Sequence, residues 1–128
     1  MKIILYNQME LSPLVVIGER RYVQRESRDA LTFVFQATVG LEELDELFTA
    51  VNCESITIMT DDGESYIYKG YTIRAELLLR PVELQPATDT TEAVYEDRIF
   101  VTMAERTVME SQVAEANAAL NALAFGEE

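Results

Sequence analysis

Residues 55–69, SITIMTDDGESYIYK, decide the fold class. Apolar and polar side chains alternate in SITIMT (55–60) and again in SYIYK (65–69), as they do in strands that bury one face. The segment DDGE (61–64) between them has the composition of a tight turn. The stretch therefore predicts an antiparallel β-hairpin.

Further strand patterns lie on both sides of this hairpin. The clearest is ALTFVFQ at 30–36, in which Leu31, Phe33 and Phe35 share one face. We expect a later strand to end at Pro81, because proline interrupts a hydrogen-bonded ladder, and residues 85–93 to form a polar loop. The other runs that predict strands are 2–6, 14–17, 21–24, 71–79 and 94–103, with Ile99 and Val101 on one face of the last.

Two segments have helical periodicity. From Leu41 to Val51 apolar residues recur every three or four positions with acids between them, which predicts a short amphipathic helix at about 41–51. Residues 104–124 contain seven alanines and neither glycine nor proline, so they predict a long C-terminal helix. A heptad seam along that helix consists of Met109, Val113, Ala116, Leu120 and Leu123.

These patterns predict an α+β protein. Hairpin-linked strands outnumber helices, which favours an antiparallel β sandwich or small barrel with one short packing helix and a long C-terminal helix. We expect a β-rich domain at 1–103, including the helix at about 41–51, and a helical extension at 104–128. A chain of 128 residues can bury a core without a disulfide or a structural metal.

The composition argues against catalysis. The chain has no histidine, so it lacks the base of Ser-His-Asp and Cys-His sites. The single cysteine, Cys53, is expected to be buried and structural. The acids at 61–64 lack the alternate spacing of a calcium loop, and the glycines are too scattered to cradle a phosphate. We therefore expect no enzyme activity, no cofactor and no metal site.

Charge is distributed unevenly along the chain. Residues 1–40 carry five basic and four acidic groups, a net charge of +1, whereas residues 41–128 carry five basic and 19 acidic groups, a net charge of −14. The total of −13 repels phosphates, so we expect no direct nucleic-acid binding. The basic residues of the first part lie either in a solvated edge strand and turn or in a patch that binds a partner; they are Arg20, Arg21, Arg25 and Arg28.

Two apolar features leave alternatives open. Tyr66, Tyr68 and Tyr71 crowd one hairpin, where they either pack across strands or form an exposed binding surface. The C-terminal seam spans little more than two heptads, so it either packs on its own domain or mediates self-association. Self-association would give a trimer or a hexamer, because closed symmetry covers both the seam and the sheet edges.

The order of these segments resembles that of phage tail-tube-like and baseplate domains. The segments that carry the resemblance are DALTFVF (29–35), LEELDELF (41–48), ESITI (54–58) and DGESYIYKGY (62–71). In addition, YEDRIFVTMAER (95–106) followed by ESQ (110–112) is similar to short tail-associated proteins of siphophages and prophages of Firmicutes. The resemblance implies an oligomeric, structural role without catalytic residues.

Two functions are therefore expected as alternatives. The first is a non-enzymatic structural component of a phage tail or baseplate, made in the host cytoplasm, resident in the virion tail and bound to other tail proteins. The second is a small acidic anti-defence inhibitor that mimics the charge of DNA. No apolar run has the length of a membrane span, and the N-terminus is too short in its apolar part for a signal peptide, so we expect no membrane partner.

Overall fold

The computed structural model describes residues 1–107, 109, 110 and 112. One α-helix, α1 (Leu41–Leu47), follows a 3-10 turn at Ala37–Val39. The strands are β1 (Lys2–Ile4), β2 (Glu10–Leu11), β3 (Val15–Val23), β4 (Glu26–Gln36), β5 (Ser55–Met59), β6 (Ser65–Lys69), β7 (Ile73–Gln85) and β8 (Val94–Ala104).

The strands form two four-stranded antiparallel sheets. Sheet I has the order β2-β1-β5-β6, and sheet II has the order β3-β4-β8-β7. The hairpin predicted at 55–69 is confirmed, because β5 and β6 pair antiparallel with Thr57 opposite Ile67. The mostly antiparallel architecture with one short helix agrees with the predicted β sandwich.

The core lies between the two sheets and beneath α1. Leu31, Phe33 and Phe35 all belong to it, so the face predicted for this strand is confirmed. Leu44 of α1 is fully buried, and the ring of Phe48 lies 5.4 Å from that of Phe33 and 5.9 Å from that of Phe35. The other members of the core are Ile3, Leu5, Cys53, Ile56, Ile58, Tyr71, Ile99, Val101 and Met103.

The first helix is shorter than the range of about 41–51 that its periodicity predicts. It ends at Leu47, and Phe48 leaves the helical conformation at φ −87° and ψ 66°. The Asn52 side chain donates to the Leu47 carbonyl, and Thr49 Oγ1 accepts from the Asn52 backbone N–H. These side chains satisfy the backbone groups that another helical turn would have used.

Two strand boundaries also differ from their predictions. The segments predicted separately at 14–17 and 21–24 form the single strand β3. The strand predicted to end at Pro81 continues to Gln85, with Pro81 opposite Asp97 of β8. Because β7 is an edge strand of sheet II, a missing N–H on its free side breaks no ladder hydrogen bond.

The long helix predicted for the C-terminus lies mostly outside the described residues. Met109, Glu110 and Gln112 have helical backbone. Four of the five seam residues, Val113, Ala116, Leu120 and Leu123, lie outside the described residues.

Candidate assembly surfaces

The arginines predicted as a basic patch lie at the turn between β3 and β4, and three of the four have acidic partners in the chain. Arg20 Nη1 lies 2.9 Å from Asp29. Arg21 lies 3.0 Å from Glu19 and 3.4 Å from Glu76. These pairs neutralise much of the charge that the sequence places here.

Arg28 is buried and acts within the chain. It is 4% exposed, and its guanidinium donates to the carbonyl oxygens of Val23 and Glu105 at 2.9 and 3.2 Å. It also donates through two nitrogens to the two carboxylate oxygens of Glu110. Among the described residues this leaves Arg25, exposed at the turn, as the arginine of the predicted patch without an acidic partner.

Glu110 caps the helical residues that follow Thr107. Its carboxylate accepts the backbone N–H of Thr107 at 2.7 Å, and its own backbone N–H donates to Thr107 Oγ1 at 3.1 Å. This reciprocal pair is a capping box, whose signature T-x-x-E is visible at 107–110. The hydrogen bonds from Arg28, followed by that from the Thr107 N–H, lower the pKa of Glu110 to about 2.

Met109 is the one member of the predicted seam that lies in the described part of the chain. Its side chain is 74% exposed on the first helical turn. The start of the seam is therefore accessible.

Strands β7 and β8 form a projecting hairpin that no sequence pattern predicted. The pairing of β4 with β8 ends where Gln36 meets Arg98, but β7 and β8 continue to pair from Pro81–Asp97 to Gln85–Val94. We call residues 81–97 the arm. Its paired part extends about 17 Å beyond β4 at the usual rise of a strand. The alternation of apolar and polar residues could not predict the arm, because it does not show which strands of a sheet extend beyond their neighbours.

The arm carries both apolar surface and negative charge. Leu84, Val94 and Tyr95 are 47%, 45% and 58% exposed. The arm has no basic residue, and its five acids are Glu83, Asp89, Glu92, Glu96 and Asp97. A two-stranded hairpin without a third strand is marginally stable in water, so this arm is suited to packing against another surface.

A shallow groove opens near the edges of β3 and β6. It has a volume of about 320 Å³, and Gly18, Arg20, Asp29, Tyr68 and Tyr71 contribute to its lining. The rings of Tyr68 and Tyr71 meet edge to face with centroids 5.7 Å apart. These two tyrosines therefore pack against each other, whereas Tyr66 is 48% exposed and donates its hydroxyl to Glu64.

Cys53 is buried, as predicted. Burial raises the pKa of its thiol to about 12, and the charge of Arg74 opposes the rise only in part. The desolvation of the thiol is the main cause of this rise. A thiol with this pKa is protonated near neutral pH and is a poor nucleophile.

The acidic turn at 61–64 makes local contacts. Asp61 pairs with the N-terminal amine, Asp62 accepts from Thr60 Oγ1, and Glu64 accepts from Tyr66. Over residues 1–107, 109, 110 and 112, no three His, Cys, Asp or Glu side chains converge in a way that could hold a metal ion.

Within the same described part of the chain, no helix combines the length and the apolar character that a membrane span requires. Comparisons with protein-family models, with curated proteins and with solved structures found no match.

Proposed function

We propose that this protein is a structural component of a phage tail or baseplate, resident in the virion and bound to neighbouring tail proteins. The observation that carries the proposal is the arm, which exposes Leu84, Val94 and Tyr95 on a hairpin that projects from sheet II. Apolar side chains on a projecting element gain free energy when a partner covers them. The resemblance of the strand order to tail-tube-like domains gives the class of assembly.

We expect that the arm can be shortened without disturbing the sheet that supports it. Replacing residues 83–95 by Asn-Gly would close the hairpin directly after the Val82–Glu96 pair with a two-residue turn. We expect this variant to fold, because none of the removed residues belongs to the core. In a phage that encodes the chain, it should reduce the yield of infectious tailed particles by at least about tenfold, which corresponds to losing roughly 1.4 kcal/mol of binding.

A second variant separates apolar docking from charge. Replacing the five arm acids by their amides preserves the shape of the arm and its exposed Leu84 and Tyr95. For a tail component, this variant should assemble, whereas Leu84→Ser with Tyr95→Ser should not. Normal tails with the shortened arm would overturn the role proposed for the arm.

Self-association through the C-terminal seam is a separate part of this proposal. Replacing Leu120 and Leu123 by Asp should abolish the trimer or hexamer in light scattering. If the unmodified protein is a monomer across micromolar concentrations, self-association through the seam is refuted. Attachment to other tail proteins through the arm would not be affected by that result.

An acidic inhibitor that mimics DNA is the alternative function, and one observation favours it. The arm presents five acids with no basic residue between positions 81 and 97. Mimicry predicts tight binding to basic nucleic-acid-binding enzymes that weakens steeply as salt rises. It also predicts that the amide variant of the arm loses this binding, which is the opposite of its expected behaviour as a tail component.

A further inference from the structure

Three of the four sheet edges carry features that prevent unwanted strand pairing. β2 has only two residues. β3 carries Glu19, Arg20 and Arg21 in succession, and β7 contains Pro81 and two register shifts. Short length, charge, proline and bulges are the usual means by which proteins protect exposed edges.

β6 is the exception. It runs from Ser65 to Lys69 at the edge of sheet I, and its only charged residue is Lys69. Ile67 is 63% exposed and Tyr66 is 48% exposed. In the part of the chain that the structure describes, β6 pairs with β5 alone. An apolar edge of this kind is suited to receive another strand.

The alternation of hydrogen-bonded pairs along the β5–β6 ladder shows which residues of β6 point their backbone N–H and C=O groups away from β5. At the two ends of the β5–β6 ladder, Gly70 N–H donates to the Glu54 carbonyl at 3.1 Å and Thr60 N–H donates to the Glu64 carbonyl at 2.8 Å. Hydrogen-bonded pairs alternate with non-hydrogen-bonded pairs in an antiparallel ladder. The backbone groups of Ser65, Ile67 and Lys69 therefore point away from β5.

We propose that β6 pairs antiparallel with β6 of a second copy of this chain, with Ile67 of both copies opposite each other at a twofold axis. Ser65 of each copy then lies opposite Lys69 of the other. All three outward-facing residues fall on hydrogen-bonded positions in this register, which gives about six backbone hydrogen bonds. A register shifted by one residue would lose this match.

Charge along the strand is self-complementary only in this orientation. Asp62 and Glu64 precede β6, and Lys69 ends it. Antiparallel pairing places the basic end of each β6 beside the acidic turn of the other copy, whereas parallel pairing would bring like charges together. The twofold partner that fits this edge is thus another copy of the chain.

The pairing would join both copies of sheet I into one eight-stranded sheet. On the outer face of this sheet, Ile67 of β6 lies opposite Thr57 of β5, and Thr57 lies opposite Ile4 of β1. These three side chains form a row across the sheet, and Ile67 of the second copy would extend it. This twofold contact goes beyond the proposed tail function and uses none of the seam residues. A threefold seam whose axis met this twofold axis at a right angle would give a closed assembly of six copies.

Disulfide trapping tests the register directly. In Ile67→Cys, the two introduced thiols lie on Cα atoms about 5.5 Å apart, within the range that a disulfide spans. Under mild oxidation we expect a covalent dimer on a non-reducing gel, at least about tenfold more than the matched control Val51→Cys gives. Val51 is 71% exposed, so the control measures random collision, and buried Cys53 contributes little background.

Charge variants and the seam variant complete the experiment. In the Ile67→Cys background, Lys69→Glu should lower the dimer yield about fivefold, since exposed pairs contribute up to about 1 kcal/mol. Adding Glu64→Lys should restore it. Leu120→Asp with Leu123→Asp should leave the yield unchanged. Equal yields of covalent dimer from Ile67→Cys and Val51→Cys would overturn the β6 pairing. So would a dimer yield that Lys69→Glu and Glu64→Lys leave unchanged. Neither result would affect the role proposed for the arm.

Discussion

Arg28 of β4 and Glu110 of the C-terminal segment form a two-pronged ion pair across 82 positions of sequence, with one of its two hydrogen bonds at 3.1 Å. The arginine is buried, and Glu110 also caps the helix that begins after Thr107. The pair therefore connects sheet II to the start of the segment that carries the predicted seam.

The first prediction concerns the pH dependence of this connection. The folded pKa of Glu110 is about 2, below the ordinary 4.5, so its contribution to stability is present above about pH 4.5 and is lost as pH falls towards 2. Urea unfolding of the protein and of Glu110→Gln should differ at pH 7 and converge near pH 2. A difference independent of pH would contradict the role of the charged pair.

The second prediction concerns the packing of Phe48 on two rings of β4. Phe48→Ala should lower the free energy of unfolding by about 3–5 kcal/mol, because it leaves a cavity between the sheets. Val51→Ala is the matched control and should change it by less than about 0.5 kcal/mol, since Val51 is 71% exposed. Chemical denaturation followed by circular dichroism measures both. Equal effects would place Phe48 outside the core.

The third prediction concerns the thiol of Cys53. Because burial raises its pKa to about 12, iodoacetamide at pH 8 should leave the folded protein unmodified over hours. The same reagent in denaturing guanidinium should alkylate the thiol completely, as mass spectrometry would show. Rapid alkylation of the folded protein would mean that the helix and the sheets do not cover this residue.

The fourth prediction concerns the turn between β3 and β4. Gln24 and Arg25 both have positive φ, 49° and 68°, a conformation that side chains with a Cβ disfavour. Replacing them with Asn-Gly should raise the free energy of unfolding by about 0.5–1 kcal/mol. Gly63→Ala, at φ 89° with open space around it, should do the reverse. Thermal unfolding of the two variants measures whether each raises or lowers stability. A destabilised Asn-Gly variant would contradict this turn geometry.

Local patterns were sufficient for much of the fold. Alternation identified the hairpin at 55–69 and the buried face of β4, because both depend on neighbouring side chains in the same strand. The continuation of β7 past Pro81 could not be predicted, since it depends on that strand lying at an edge. The end of α1 at Leu47 depends on hydrogen bonds from Asn52, which compete with a periodicity that continues to Val51.

The assembly surfaces were less accessible to sequence reasoning. The four arginines were visible as a group, but the burial of Arg28 depends on carbonyl groups and an acid far along the chain. The arm could not be identified because its length is a relation between β7, β8 and the end of β4. The T-x-x-E capping box at 107–110 was present in the sequence and is the one signal that could have located the helix start.

Labelled electron microscopy of purified particles tests the claim that this chain is a structural part of a phage tail. An epitope inserted in the polar loop at 86–93 would obstruct the arm, so a tag at the exposed turn of Gln24 and Arg25 is preferable. We predict gold label at a fixed position on the tail or baseplate. Particles with normal tails that carry no label, with the protein found only in the soluble fraction of infected cells, would contradict the claim.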